Sequence, residues 1–200
     1  MLLLGIESSC DETGAAVVRG AREVLSNVTA SQHELHEEYA GVVPEIASRA
    51  HVEAIVPVVR RALADAGAGF ADLGGIAVGH RPGLVGSLLI GIAGAKALAW
   101  ALGLPLVGVD HVHAHLYAGL LERGGARGGR SDEAGGDRLF PALGLVVSGG
   151  HTSLYVMRSP IELERVGATI DDAMGEAFDK AATILGLAHP GGPNLDRLAS

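Results

Sequence analysis

Residues 2–20 read LLLGIESSCDETGAAVVRG. Two short apolar runs, LLLGIES and GAAVVRG, stand on either side of the polar, turn-rich SSCDET, the pattern of a hairpin with a polar loop between its strands. REVLSNVTAS, next along the chain, reads as a third strand. The same device returns at 140–159, FPALGLVVSGGHTSLYVMRS, as an apolar run, a Ser/Gly/His/Thr loop and a second apolar run. Two segments that open alike point to internal duplication and to two lobes.

Between the hairpins the pattern turns helical. PEIASRAHVEAIVPVVRRALADA (44–66) has apolar residues at helical spacing with charges between them, and predicts an amphipathic helix broken or bent near Pro57. GGIAVGHRPG is a strand running into a Gly/Pro turn. LVGSLLIGIAGAKALAWALG then reads as a helix on which Gly83, Ser87, Gly91 and Ala95 recur at i, i+4, a close-packing face on which a partner subunit is expected to associate. PLVGVDH is a Val-rich strand, and HAHLYAGLLERG resumes a helical period. Strands alternating with helices define an α/β chain. ERGGARGGRSDEAGGDR (122–138) can bury little and reads as a flexible connector. The expected division is a first lobe at 1–121, the connector at 122–138, and a second lobe from 139 that is cut short at residue 200.

The 200 residues are 48% hydrophobic, enough for a sizeable core, while Gly numbers 30 and aromatics are only 4%. Close packing of small residues must therefore replace large aromatic anchors. The formal charge of −8 argues against a domain that grips nucleic acid through a broad basic field. A single cysteine, Cys10, excludes an intramolecular disulfide framework and suits a reducing, cytoplasmic compartment. The N-terminus lacks a basic region and turns acidic after six residues, unlike a signal peptide. Residues 84–107 are apolar enough to suggest a membrane span, but Lys96, repeated Gly and Pro105 divide them. A buried helix followed by a strand is the better reading, with no membrane association.

HVHAH, residues 111–115, raises the question of a metal. On a strand, His111, His113 and His115 would share a face. The following LYAGLLE favours a helix, which turns His113 away and leaves His111 and His115 as a pair one turn apart. Two ligands are too few, so a third, of carboxylate type, is expected from elsewhere, leaving open positions for substrate. No glutamate lies between the histidines to act as the base of a zincin-type protease. VVSGGHT (146–152) is either a plain Gly-Gly hairpin turn or a loop whose exposed backbone N–H groups admit a phosphate or carbonyl oxygen. Its counterpart SSCDET offers Ser8, Ser9, Asp11, Glu12 and Thr13. GIAGAKA is not a Walker A loop. In TIDDAMGEAFDKAATILGLAHPGGPNLDRLA, Asp171 and Asp172 are placed to cap a helix. Asp179, beside the Gly-rich loop PGGP, is either an acceptor for ribose hydroxyls or part of a solvated face.

Taken together, GIESSCDETGAAVV, SQHELHEEYAGVVPEIASRAH, RPGLVGSLLIG, DHVHAHLYA, LVVSGGHTSLYV and DDAMGEAFDKAATILGLAHPGGPNLDRLA resemble, in order, the tRNA adenosine threonylcarbamoyltransferase (TsaD) family. The resemblance covers nearly all 200 residues. It implies an actin/Hsp70/sugar-kinase-like fold of two α/β lobes, here the first lobe and an incomplete second. It also implies transfer of the threonylcarbamoyl group from threonylcarbamoyl-AMP to N6 of adenosine 37 in tRNAs reading codons that start with A. By resemblance, His111 and His115 would hold iron or zinc. Val146, Val147, Ser148, Gly149 and Gly150 would line the donor's site, with Asp179, Gly192 and Asp196 meeting its nucleoside portion. Implied partners are tRNA, a paralogous TsaB-like subunit and a small TsaE-like ATPase.

Three features depart from the family pattern. Its members exceed 300 residues, and their second half supplies another metal ligand, so this chain reads as a fragment, inactive alone. Arg81 in GHRPG stands where a glycine is usual; if that glycine needs a positive φ, the turn must change. The connector at 122–138 is longer than usual. A non-catalytic scaffold subunit, a metallopeptidase and a small-molecule kinase are the alternative readings, and fold alone does not choose among them.

Overall fold

The computed structural model describes residues 1–20, 22–37, 39, 41–123, 139–188 and 190–200. The opening stretch forms β1 (Leu2–Glu7) and β2 (Glu12–Arg19), paired antiparallel with Leu4 opposite Val17 and Ile6 opposite Ala15. β3 (Glu23–Ser31) adds to β2, again antiparallel. A short helix α1 (His33–Glu37) leads to α2 (Pro44–Asp65), then to β4 (Leu73–Arg81), α3 (Val85–Leu102), β5 (Leu106–Asp110) and α4 (His111–Ala118). β4 lies parallel to β1 and β5 parallel to β4, so the sheet reads β5-β4-β1-β2-β3 with β6 (Glu122–Arg123) at the far edge. This is the α/β organisation expected.

Period-2 alternation places Leu4, Ile6, Ala15, Val17, Ile76 and Val78 on one face of this sheet, where each is buried. Against them pack Val58, Val59, Ala62 and Leu63 of α2 and Ala95 and Ala99 of α3. Each large aliphatic side chain buried here contributes about 1.5–3 kcal/mol. α2 begins with Pro44 in its first turn and runs through Pro57 without interruption, so the expected break is not there. α3 ends at Gly103, whose left-handed φ of 64° lets Leu104 N–H reach the Ala99 carbonyl at 2.9 Å.

Two expectations about α3 change. Gly83 precedes the helix instead of belonging to it, and the remaining stripe, Ser87, Gly91 and Ala95, points inward. The small residues are used to bring α3 close to the chain's own sheet, so they form no surface for a partner. The helix is long and apolar enough to cross a membrane by length and composition. Only one face is buried, however: Val85, Leu89 and Trp100 are exposed, the last at 91%.

Met1–Ala114 form the body of one compact unit, and residues 139–200 that of another. In the second, β7 (Ala142–Val147), β8 (Thr152–Met157) and β9 (Leu163–Ala168) make a three-stranded antiparallel sheet, followed by α5 (Met174–Ile184) and α6 (Gly191–Ala199). Val146, Tyr155 and Met157 are buried on one side of it. Leu143, Leu145, Val147 and Leu154 are exposed on the other. Of the expected connector, Glu122 and Arg123 are strand β6 beside β3, and 124–138 lie outside the described residues.

Candidate functional site

β1, β4 and β5 run parallel, and their carboxyl ends carry Glu7, Arg81 and Asp110, followed at once by His111. Ligands of open α/β sheets bind at this edge, because successive strands deliver side chains to one place there. Asp110 starts α4: its Oδ1 accepts the N–H groups of Val112 at 3.0 Å and His113 at 3.3 Å, satisfying two donors that a helix start leaves open. Its Oδ2 meets Arg81 Nε at 3.3 Å. Arg81 therefore ends an extended strand, its side chain paired with Asp110, and the turn needs no positive φ at that residue.

His111 and His115 both stand on α4, four residues apart, and so share a helix face, with His115 exposed and His111 half-buried. His113, two residues on, is rotated about 200° from His111, as the helical reading required. His111 Nδ1 lies 3.3 Å from Glu7 Oε2 and 3.2 Å from Ser9 Oγ. The hydrogen bond that His111 donates to Glu7 raises the His111 pKa above the usual 6.5 against the opposing effect of burial. On Glu7, burial acts upward, but the hydrogen bonds from His111 and Ser9 prevail and lower its pKa below 4.5. Nitrogen donors paired on one helix face, with the Nδ1 edge of one ring already committed, suit a borderline-soft metal ion such as zinc or iron(II). Among the described residues, no cluster of three or more His, Cys, Asp or Glu forms around them.

The SSCDET loop is held by a buried network that the sequence did not announce. His51 of α2 is fully buried, with Nε2 3.0 Å from the Cys10 carbonyl and Nδ1 2.7 Å from Thr13 Oγ1. A carbonyl only accepts, so Nε2 carries the proton and Nδ1 accepts from the Thr13 hydroxyl. Ser87 Oγ donates to the same carbonyl at 3.1 Å, and Leu84 N–H donates to Ser9 O at 2.8 Å. A Cβ on Gly83 would lie 2.5 Å from that Ser9 oxygen, so only glycine fits there. Cys10 itself is an exposed residue, yet partial burial of the thiol and the charge of Asp11 push it up to about 11. At neutral pH a rise of about two units cuts the thiolate fraction roughly 100-fold against an ordinary cysteine, of which higher nucleophilicity returns about tenfold. Alkylation of Cys10 by iodoacetamide should thus run about tenfold slower than that of a short unstructured peptide and accelerate towards pH 11; mass-spectrometric labelling kinetics at peptide-like rates would contradict this.

In the second unit, Val146 is buried and Val147 exposed at the end of β7. Ser148–His151 form a tight turn: Ser148 N–H donates to the His151 carbonyl at 2.8 Å and His151 N–H to Ser148 Oγ at 2.9 Å. VVSGGHT thus has the geometry of a tight hairpin turn. Gly175 at the start of α5 donates to Ser148 O at 3.1 Å, and a Cβ on it would strike Ser148 and Gly149 backbone. Asp171 and Asp172 do not cap α5. The Met174 N–H is taken by Thr152 Oγ1 at 2.8 Å, and Asp172 instead pairs with Lys180 at 2.6 Å. Nor is PGGP a loop, since Gly191 and Gly192 open α6. Asp179 Oδ1 accepts the Gly191 N–H at 2.6 Å, tying α5 to the start of α6, and a Cβ on Gly191 would collide with Asp179 Cα and Phe178 O. Asp196 lies one turn beyond Gly192 and is exposed. By contrast, a Cβ on Gly149, Gly150 or Gly192 would meet nothing within 4 Å, and none of the three has a positive φ. Neither packing nor backbone conformation demands glycine there.

The profile of a family described as TsaD, tRNA N6-adenosine threonylcarbamoyltransferase, matches residues 23–200. The chain belongs to the TsaD family. Curated relatives bearing the name tRNA N6-adenosine threonylcarbamoyltransferase include those of Sorangium cellulosum, 57% identical over 202 residues, and Bacillus subtilis, 52% identical over 199. Both alignments cover 100% of this chain but only 56% and 54% of the relatives. The chain spans about half the length of the curated relatives it matches. Among solved structures, YeaZ from Pseudomonas aeruginosa aligns over 84% of this chain and 66% of its own at 19% identity, with a TM-score of 0.48. The ethanolamine utilization protein EutJ from Carboxydothermus hydrogenoformans aligns over 94% of this chain and 58% of its own at 13% identity, TM-score 0.47.

Glu7 was missed by the sequence reading, which began its polar loop at Ser8. The available signal was a carboxylate closing an apolar strand whose neighbouring strands carry Gly14 and Gly79. A side chain on Gly79 would enter the space of the Glu7 carboxylate.

Proposed function

We propose that this chain is the N-terminal part of an enzyme that transfers the threonylcarbamoyl group from threonylcarbamoyl-AMP to N6 of adenosine 37 in tRNAs reading ANN codons. The observation carrying the reading is 57% identity, along the whole chain, with a relative of that name. In the transfer, the N6 amine adds to the carbamoyl carbonyl carbon, the bond from that carbon to the phosphate oxygen breaks, and AMP departs as the N6 proton is lost. No covalent intermediate on a side chain is required.

In our reading the residues at 1–121 and 139–200 belong to lobes of actin/Hsp70/sugar-kinase type. Gly149, Gly150 and Gly192, glycines for which the fold has no other use, let the donor approach the backbone of the Ser148–Gly150 turn and the start of α6. Val146 and Val147 wall that turn, while Asp179, fixed by Gly191, and Asp196 accept hydroxyl protons of the nucleoside. His111 and His115 fit a zinc or iron ion, which when bound supplies Lewis acidity for orienting the donor and polarising its carbonyl. In our reading the exposed Leu143, Leu145 and Leu154 meet the polypeptide by which the relatives exceed this chain, and that polypeptide supplies the third ligand. With a charge of −8, the chain has no broad basic field for tRNA, so TsaB-like and TsaE-like partners contribute to the encounter in the cytoplasm.

The test supplies synthetic threonylcarbamoyl-AMP and unmodified tRNA to the protein extended to its relatives' length, together with both partners. Chromatography and mass spectrometry of the digested tRNA should then find the modified nucleoside, and none above background with the 200-residue chain. An extended protein that leaves adenosine 37 unmodified would overturn the reading.

A further inference from the structure

We propose that Glu7 is a positioning residue: its carboxylate holds the His111 ring as the Nδ1–H tautomer, so that Nε2 is the nitrogen presented to a metal ion. The inference rests on the reading of His111 and His115 as metal ligands and deepens it. Its basis is the direction in which each contact can run. A carboxylate accepts and never donates, so the proton in the 3.3 Å contact between Glu7 Oε2 and His111 sits on Nδ1. A neutral imidazole protonated at Nδ1 has its lone pair at Nε2. Ser9 Oγ, 3.2 Å from the same nitrogen, can accept that proton as well.

The carboxylate is itself held in place. Its other oxygen, Oε1, accepts the Ser9 N–H at 2.6 Å, and the Ser9 hydroxyl also hydrogen-bonds the carboxylate. Ser9 is buried, and its carbonyl is bonded to Leu84 N–H, which fixes the donor. The space for Oε2 exists only because residue 79, on the neighbouring strand β4, has no side chain. Outer partners that fix tautomer and ring orientation typically change metal affinity 10–100-fold when removed.

Glu7→Gln separates this role from bulk packing, because glutamine has the same shape but only one acceptor oxygen. If that oxygen stays with the Ser9 N–H, the amide NH2 faces His111 Nδ1 and favours the opposite tautomer. The experiment takes the protein extended to its relatives' length, 15N-labelled at histidine, and reads the two ring nitrogens of His111 by NMR on the alkaline side of its titration. Titration with Zn2+ alone, by calorimetry, gives the affinity, and urea denaturation checks folding. Expected are an Nδ1–H ring in the wild type, a shift towards Nε2–H in Glu7→Gln, and Zn2+ affinity lower by about 10–100-fold. Gly79→Ala, which displaces the carboxylate without altering it, should move both readouts the same way. If His111→Ala and His115→Ala bind Zn2+ as the wild type does, the metal reading itself falls. If both lose Zn2+ while Glu7→Gln keeps the wild-type tautomer and affinity, the positioning role alone is overturned.

Discussion

Gly91→Asp should unfold the first unit, and Gly91→Ala should already destabilise it. Gly91 lies on the buried face of α3 directly over Ser8, and a Cβ there would overlap Ser8 Oγ, with Ser8 Cβ next at 3.3 Å and Val78 Cγ2 at 3.7 Å. Ser8 cannot swing aside cheaply: it is fully buried and its hydroxyl donates to the Ser87 carbonyl, one turn before Gly91 on the same helix, at 2.8 Å. Two effects oppose each other in the alanine variant. Helix propensity gains about 1 kcal/mol, while overpacking a tight contact costs about 1–3 kcal/mol. Because the obstructing atom is hydrogen-bonded in place, overpacking wins. In the aspartate variant, an unpaired carboxylate is also buried, which adds several kcal/mol and reaches the whole stability of a typical domain. Urea denaturation followed by circular dichroism should show a lowered midpoint for Gly91→Ala and no cooperative transition for Gly91→Asp. A Gly91→Ala midpoint at or above the wild-type value would mean that α3 is not seated on Ser8 as described.

This packing also shows where a sequence pattern stops being informative. Small residues at i, i+4 announce that something approaches closely, but not whether it is the chain's own sheet or another molecule; Ser8 supplies the answer, and it is distant in sequence. The hairpins, in contrast, were legible throughout, because alternation of apolar residues around a polar turn fixes pairing and buried face together. Pro57 does not break α2: proline weakens a helix locally, but Val58, Val59, Ala62 and Leu63 beyond it are buried against the sheet, and that packing carries α2 onward. At the site, the helical reading of HVHAH is realised in α4, so His111 and His115 share a face and His113 does not, because periodicity alone decides that. Glu7 escaped for the opposite reason. A carboxylate at a strand end has no local signature, and its partner, His111, arrives only when parallel pairing of β1, β4 and β5 gathers three strand ends. The same holds for Asp179, whose bond to Gly191 is invisible in a spacing that reads equally well as a solvated face.

In the protein extended to the length of its relatives, His111→Ala with His115→Ala should reduce formation of the modified nucleoside by more than about 100-fold and remove bound iron or zinc. The size follows from comparison: removing an outer partner of a metal ligand already costs 10–100-fold, and on the proposed reading both ligands of the helix face are lost here. Folding is not expected to fail with them. His115 is exposed, and the His111 side chain is only partly enclosed, at 22% exposure, so neither truncation opens a core cavity. The control is His113→Ala, on the same helix and two residues from each member of the pair. Rotation of about 100° per residue carries it off their face, so it should retain both metal and activity to within a few-fold. Metal content by elemental analysis and nucleoside yield by mass spectrometry must fall together in the double variant. A double variant that loses metal yet modifies tRNA at the wild-type rate would confine the pair to a structural role. A His113→Ala variant as impaired as the double would mean that the three histidines act as a strand-like set, and that the helix face does not select among them.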